Sequence, residues 1–136
     1  MATRPLVKDT YLTRASYKVA SGQTTTKGML VIFSGSDDEI ATAGAGSDLC
    51  FAVALETKAA GEYCEVAYLA PVVEVLVGTG GATRGTKARP VADGVTNATA
   101  HNSDGTGNES TYGIFVQTGV AADRVGMMLG YANRGV

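Results

Sequence analysis

Apolar and aromatic residues recur along this chain in short runs, each closed by glycine or by a cluster of Asp, Asn and Ser. From Ser16 onward the runs are Tyr17–Ala20, Met29–Ser34, Glu39–Ala43, Leu49–Glu56, Glu62–Leu69, Val72–Val77, Thr86–Ala92, Tyr112–Thr118 and Val125–Tyr131. Their length, their wealth of Val, Ile, Tyr and Phe, and their turn-residue borders mark them as β-strands. Nine short strands leave space for little but turns, so the expected fold is all-β. The polar stretch 97–110, NATAHNSDGTGNES, reads as a surface loop. Ahead of Ser16 no hydrophobic period is visible, and Pro5 disfavours helix at Arg4. Residues 1–15 are therefore expected to form an extended arm on a single domain spanning 16–136.

The pattern also repeats. Laid without gaps over Tyr112–Leu129, the segment Phe51–Tyr68 places Thr57 on Thr118, Ala60 on Ala121 and Glu62 on Asp123. Upstream, Thr26-Lys27-Gly28 resembles Thr83-Arg84-Gly85, at a spacing that differs by four residues. A hairpin centred between Ala59 and Ala60 pairs Phe51 with Tyr68, Val53 with Val66 and Leu55 with Cys64. The matching register of the second segment pairs Tyr112 with Leu129, Ile114 with Met127 and Val116 with Val125. Each face so formed is apolar, and these twelve residues are the expected core. Because a slip of one residue exchanges the faces, two hairpins that agree in register are better evidence than similar letters. They predict two related β-units, about 16–77 and 78–136. Duplication and a shared physical demand both produce such a likeness.

Composition narrows the function. The 136 residues include 18 glycines and no tryptophan, and a net charge of −2 argues against a protein that neutralises nucleic-acid phosphates. Only the start is basic, with Arg4, Lys8, Arg14 and Lys18 against Asp9, which suggests a separate partner for the arm. No secretory signal is visible, and no apolar run approaches the roughly 18 residues of a membrane span. Synthesis in the cytoplasm and no membrane partner are expected.

Candidate chemistry is sparse. The stretch Val77–Ala88, VGTGGATRGTKA, has the glycines, hydroxyls and lysine of a phosphate loop. Gly80 and Gly85 have the P-loop separation, but Thr86 stands where the motif needs lysine and Ala88 follows Lys87. The dinucleotide fingerprint fails as well, because Thr83 replaces its third glycine and no helix-forming run follows. A strand-linking turn is the expected reading. Cys50 and Cys64 are expected as two unbridged thiols, about five rungs or roughly 17 Å apart. His101 lies in the polar loop with no nucleophile motif nearby. The acids Asp37-Asp38-Glu39, and Asp104 with Glu109, lack EF-hand spacing. No catalytic residue, cofactor or metal is expected.

Several of these segments together resemble the phage capsid cement or decoration proteins, including the domain known as DUF2190. The marks are the entry Ser21-Gly-Gln-Thr-Thr-Thr-Lys-Gly-Met-Leu-Val31, the strand Ala52-Val-Ala-Leu-Glu56 leading through Ala60-Gly61-Glu62 to Val66, and Gly85-Thr-Lys87. The closing Gly113-Ile-Phe-Val116 and Ala121-Ala-Asp-Arg-Val125 belong to the same pattern. Where the family's strand reads G-V-A-L, Ala52 replaces glycine and Phe115 replaces alanine. The resemblance implies a β-tulip or barrel-like sandwich and no catalysed reaction. It also implies a homo-oligomer, a trimer favoured, on the outer surface of the assembled capsid, with the major capsid protein as partner. An arm of that kind would place Thr3, Arg4, Pro5, Leu6, Val7 and Tyr11 against the capsid. The alternative is another virion β-barrel component, such as a tail-tube or baseplate protein or a carbohydrate-binding adhesin.

Overall fold

The computed structural model describes residues 13–44, 50–68, 72–98 and 110–134. The elements among them are all strands: β1 (Thr13–Val19), β2 (Thr24–Thr25), β3 (Leu30–Phe33), β4 (Glu39–Thr42), β5 (Ala52–Ala54), β6 (Lys58–Ala59), β7 (Tyr63–Tyr68), β8 (Val73–Leu76), β9 (Lys87–Val91), β10 (Gly94–Asn97), β11 (Ser110–Phe115) and β12 (Arg124–Arg134). The nine expected runs each supply one strand. The two-residue pair β2–β6, and β10 with its polar Gly94-Val-Thr-Asn97, are additions. β1 begins at Thr13, so the last residues assigned to the arm belong to the sheet.

β1, β4, β3, β5 and β7 close a barrel in that order. Every pairing is antiparallel except β1–β4, where Lys18 faces Glu39 and Val19 faces Ile40 in parallel. Inside pack Val19, Val31, Ile40, Ala52, Ala54, Cys64 and Val66. A five-stranded barrel has a narrow lumen, and the two alanines of β5 fit it.

The second sheet runs β10-β9-β11-β12-β8 and curls until Val77 bridges Val95 in parallel. It repeats the first pair by pair. Val53↔Ala67 recurs as Ile114↔Met128, both members displaced by 61 positions (53 to 114, 67 to 128). Val31↔Ala52 recurs as Ala88↔Gly113, Tyr17↔Cys64 as Val75↔Val125, and the parallel Val19↔Ile40 as Val77↔Val95. Side-chain bonds recur too. Lys27 N–H donates to Thr57 Oγ1 at 3.0 Å, and Arg84 N–H donates to Thr118 Oγ1 at 3.1 Å. Ala59 N–H donates to Glu62 Oε1, and Val120 N–H to Asp123 Oδ2. The residues that recur in sequence are thus those that fix the same turns. β8, upstream of residue 78, belongs to the second sheet, so sheet membership changes between Tyr68 and Val73.

Both hairpins differ from the expected register by one residue. Val53 faces Ala67 rather than Val66, and Ile114 faces Met128 rather than Met127. In the first, Lys58–Ala59 leaves the hairpin to pair with Thr24–Thr25, and in the second Gly119 leaves it to bridge Ala82, so neither hairpin turns at the expected midpoint. Faces change accordingly. Val66 points into the barrel, Val53 and Ala67 to the outer core. Of the expected core, Val53, Cys64, Val66, Val125 and Met127 are buried, whereas Phe51, Leu55, Ile114 and Val116 are half-buried. In the second sheet Gly113 and Phe115 point inward in place of Ile114 and Val116. The side chains of Tyr68, Tyr112 and Leu129 are outside the described residues.

The copies are joined asymmetrically. Leu30, Val53 and Ala67, on the outer face of the first barrel, share one core with Val73, Val75, Phe115 and Met127 inside the second sheet. Each fully buried Val or Leu at this joint contributes about 1.5–3 kcal/mol. In the barrel Lys18 N–H donates to Asp38 O, which helps β4 close against β1. At the equivalent place Leu76 N–H donates to Gly28 O of the first barrel. The first barrel therefore lies where the second sheet leaves β8 open.

Candidate functional site

The glycine-rich stretch can be judged by where its N–H groups point. Thr79 N–H donates to Asp93 Oδ1, Gly81 to Gly78 O, Ala82 to Gly119 O, Thr83 to Asn97 Oδ1, Arg84 to Thr118 Oγ1, Gly85 to Phe115 O and Thr86 to Thr83 O. An anion site needs several such groups converging on one open point. Here all but Gly80 between Thr79 and Thr86 donate to the protein, so the stretch is a bonded turn. Asp93 is its clasp: it also accepts from Thr79 Oγ1 at 2.7 Å. The two Thr79 bonds hold the Asp93 carboxyl below its ordinary pKa.

The other sequence candidates stay apart. Cys50 sits in the joint core and Cys64 in the barrel, and no disulfide links them. Burial pushes the Cys64 thiol above its ordinary pKa, the reverse of what a nucleophile requires. Among the described residues no three His, Cys, Asp or Glu side chains gather to hold a metal ion. Glu39 instead caps its own turn, accepting from Ser36 N–H at 3.0 Å. Thr3, Arg4, Pro5, Leu6, Val7, Tyr11 and His101 lie outside the described residues. No helix among the described residues is long and apolar enough to cross a membrane.

What the surface does offer is apolar and aromatic. Phe33 is 58% exposed, and its ring stacks on Phe51 at 3.8 Å and 4°, with Tyr17 edge-on to both. Beside it Ser34, Gly35, Ser36, Asp37 and Asp38 line an open hollow of about 400 Å³. Tyr63 is exposed at the start of β7, opposite Lys18, whose N–H meets Asp38 O. On the second sheet Met128 is 47% exposed. From the sequence Phe33 and Met128 were readable only as strand residues, Tyr63 as a residue on the mixed face opposite the expected core, and Asp37 and Asp38 as part of an acidic turn. The signal that marks Phe33 is its place at the last position of its strand, directly before Ser34-Gly35. Aromatic and methionine side chains are enriched at protein interfaces.

No family model matches the chain, and no curated protein matches it. The tie to DUF2190 thus stays a resemblance. Among solved structures, the N base of the head fiber gp8.5 of bacteriophage phi29 is similar in fold. The match covers 90% of this chain and 97% of that one, with a TM-score of 0.65 and 16% identity.

Proposed function

We propose that this chain is a non-enzymatic structural protein of a phage virion that decorates the outer surface of the assembled head. The observation that carries the reading is the likeness in fold to a phage head fiber base, which covers 90% of this chain and 97% of that one and so takes in both copies of the fold. The surface chemistry supports it, being aromatic and apolar at exposed positions and bonded internally where a ligand loop was conceivable. In this reading the partner is the major capsid protein, and the protein bridges neighbouring capsid subunits as a homo-oligomer, a trimer favoured. Several weak contacts made together then dissociate slowly, so the head resists the pressure of packaged DNA. Residues 1–12 serve as the arm, with Thr3, Arg4, Pro5, Leu6, Val7 and Tyr11 in contact with the shell.

Co-sedimentation with expanded capsids that lack the protein tests this. Saturable binding to expanded heads, and weaker binding after removal of residues 2–12, is the expected result. Deletion stops at residue 12 because Thr13 pairs with Tyr68. No binding to any capsid form would overturn the function, and full occupancy by the truncated chain would overturn the role of the arm.

A further inference from the structure

The two copies of the fold differ in what covers them. In the first, Gly28, Leu30, Val53 and Ala67 form an outer face, and all four are buried by the second sheet. The same places in the second copy hold Gly85, Lys87, Ile114 and Met128. Gly85 and Met128 are exposed, and Lys87 and Ile114 are half-buried. The glycines show the contrast most sharply, since both have positive φ, +91° and +85°. A Cβ on Gly28 would meet Arg124 and Leu76 within 3 Å, whereas one on Gly85 would meet nothing within 4 Å. A face that the fold buries once is left open the second time, with the exposed cation Arg84 at its border.

We propose that this second-sheet face, Arg84, Gly85, Ile114 and Met128, docks onto the first barrel of another copy of the chain. The receiving end carries Tyr63, Phe33, Asp37 and Asp38. Tyr63 holds the place that Arg124 holds in the second sheet, and Arg124 is the residue that reaches across the internal joint, donating to Lys27 O at 3.0 Å. Arg84 is the counterpart of Lys27. The contact between chains thus has the same polarity as the joint within one. Charge favours this arrangement: Arg84 is an exposed cation on the docking face, and Asp37 and Asp38 are exposed anions at the receiving end, flanking Lys18. The β1–β4 pairing already uses Lys18 N–H, so side chains rather than added backbone bonds make the contact. A head-to-tail interface of this kind closes into a ring when its rotation closes. The inference rests on the oligomeric part of the proposed function and not on capsid binding.

Sedimentation equilibrium of the full chain provides the test. The wild type should associate, Met128→Asp should abolish association, and Arg84→Glu and Asp37→Lys should each weaken it about tenfold. The double variant R84E/D37K should recover it, which a folding defect would not. In mixtures of single variants, M128C chains should crosslink to F33C chains and not to each other. A monomer at all concentrations, no recovery in the double variant, or M128C self-crosslinking would each overturn the proposal. Oligomers that fail to bind expanded capsids would sink the proposed function instead, leaving this interface intact.

Discussion

The amide of Leu76 donates to the carbonyl of Gly28 at 2.9 Å, across the joint between the two copies of the fold. Its counterpart in the first copy, Lys18, bonds within its own barrel to Asp38 O. One backbone bond thus marks where a repeated barrel departs from its twin, and the glycine that permits it invites a direct comparison.

Gly28→Ala and Gly85→Ala place a methyl group on similar left-handed backbone, which costs about 1–2 kcal/mol in either copy. Only at Gly28 does the new Cβ also press on backbone, at Leu76 N. Overpacking there adds about 1–3 kcal/mol. Urea unfolding should therefore show Gly28→Ala as clearly the more destabilised of the two, and equal midpoints would mean that the joint gives way freely.

Ala122 occupies the place of Gly61 in the second copy and keeps its left-handed backbone, φ +76° against +85°. A methyl group at that φ stores strain that glycine does not. Ala122→Gly is expected to stabilise the protein by about 1 kcal/mol, and Gly61→Ala to destabilise it by a similar amount. Thermal melts of both variants check the pair of opposite signs.

Thr57→Val and Thr118→Val each remove a hydroxyl that accepts a turn N–H, from Lys27 and Arg84 respectively. Both sites are exposed, so water replaces the lost partner and each change costs about 0.5–1.5 kcal/mol. Lying in different copies, the two losses should add. A double-mutant cycle by denaturant titration measures this, and a large interaction energy would contradict the independence of the two turns.

The Asp93 clasp predicts a response to acid. Its folded pKa lies below the ordinary value of 3.8, so ionised Asp93 contributes stability above that value, and the contribution is lost as pH falls through the depressed folded pKa. Unfolding midpoints of the wild type and of Thr79→Val, compared from pH 6 downward, should begin to draw together below pH about 4 and meet only beneath the depressed folded pKa. A gap that persists in full into strong acid would show that the hydroxyl acts by packing alone.

In Cys50→Ala, the remaining Cys64 thiol should resist a thiol reagent at pH 8 in the native state and react at once in denaturant. Its folded pKa is raised by burial, so the stability it confers is full below the unfolded value of 9.0 and fades as pH rises through the folded one. Fast native labelling would place Cys64 in contact with water.

Strand positions were readable from the sequence because turns and apolar runs are local signals. The register was not. Around Ala54 both faces of the strand are buried, Val53 against the second sheet and Ala54 within the barrel, so no alternation of apolar and polar residues records which side faces which core. The pairing of Lys58–Ala59 with Thr24–Thr25 shifts the hairpin by one residue, and a two-residue strand leaves no periodic trace. Thr57 and Thr118 were visible as recurring letters, but their shared bond appears only when the turns of Lys27 and Arg84 lie beside them. Phe33 and Met128 escaped notice as surface residues because an exposed apolar side chain in a strand reads like a buried one, whereas the hairpin register already set Tyr63 on the face away from the expected core. The arm residues from Thr3 to Tyr11 lie outside the described structure.

The one-way joint also bears on synthesis. The first barrel closes through pairings among residues 13–68 and has its own interior, while the interior of the second sheet is completed by Leu30, Val53 and Ala67. A chain made from its amino terminus therefore finishes the covering piece before the piece that needs covering leaves the ribosome. Exchanging the order of the two halves would leave the second sheet waiting, its apolar interior open to water, for a lid not yet made.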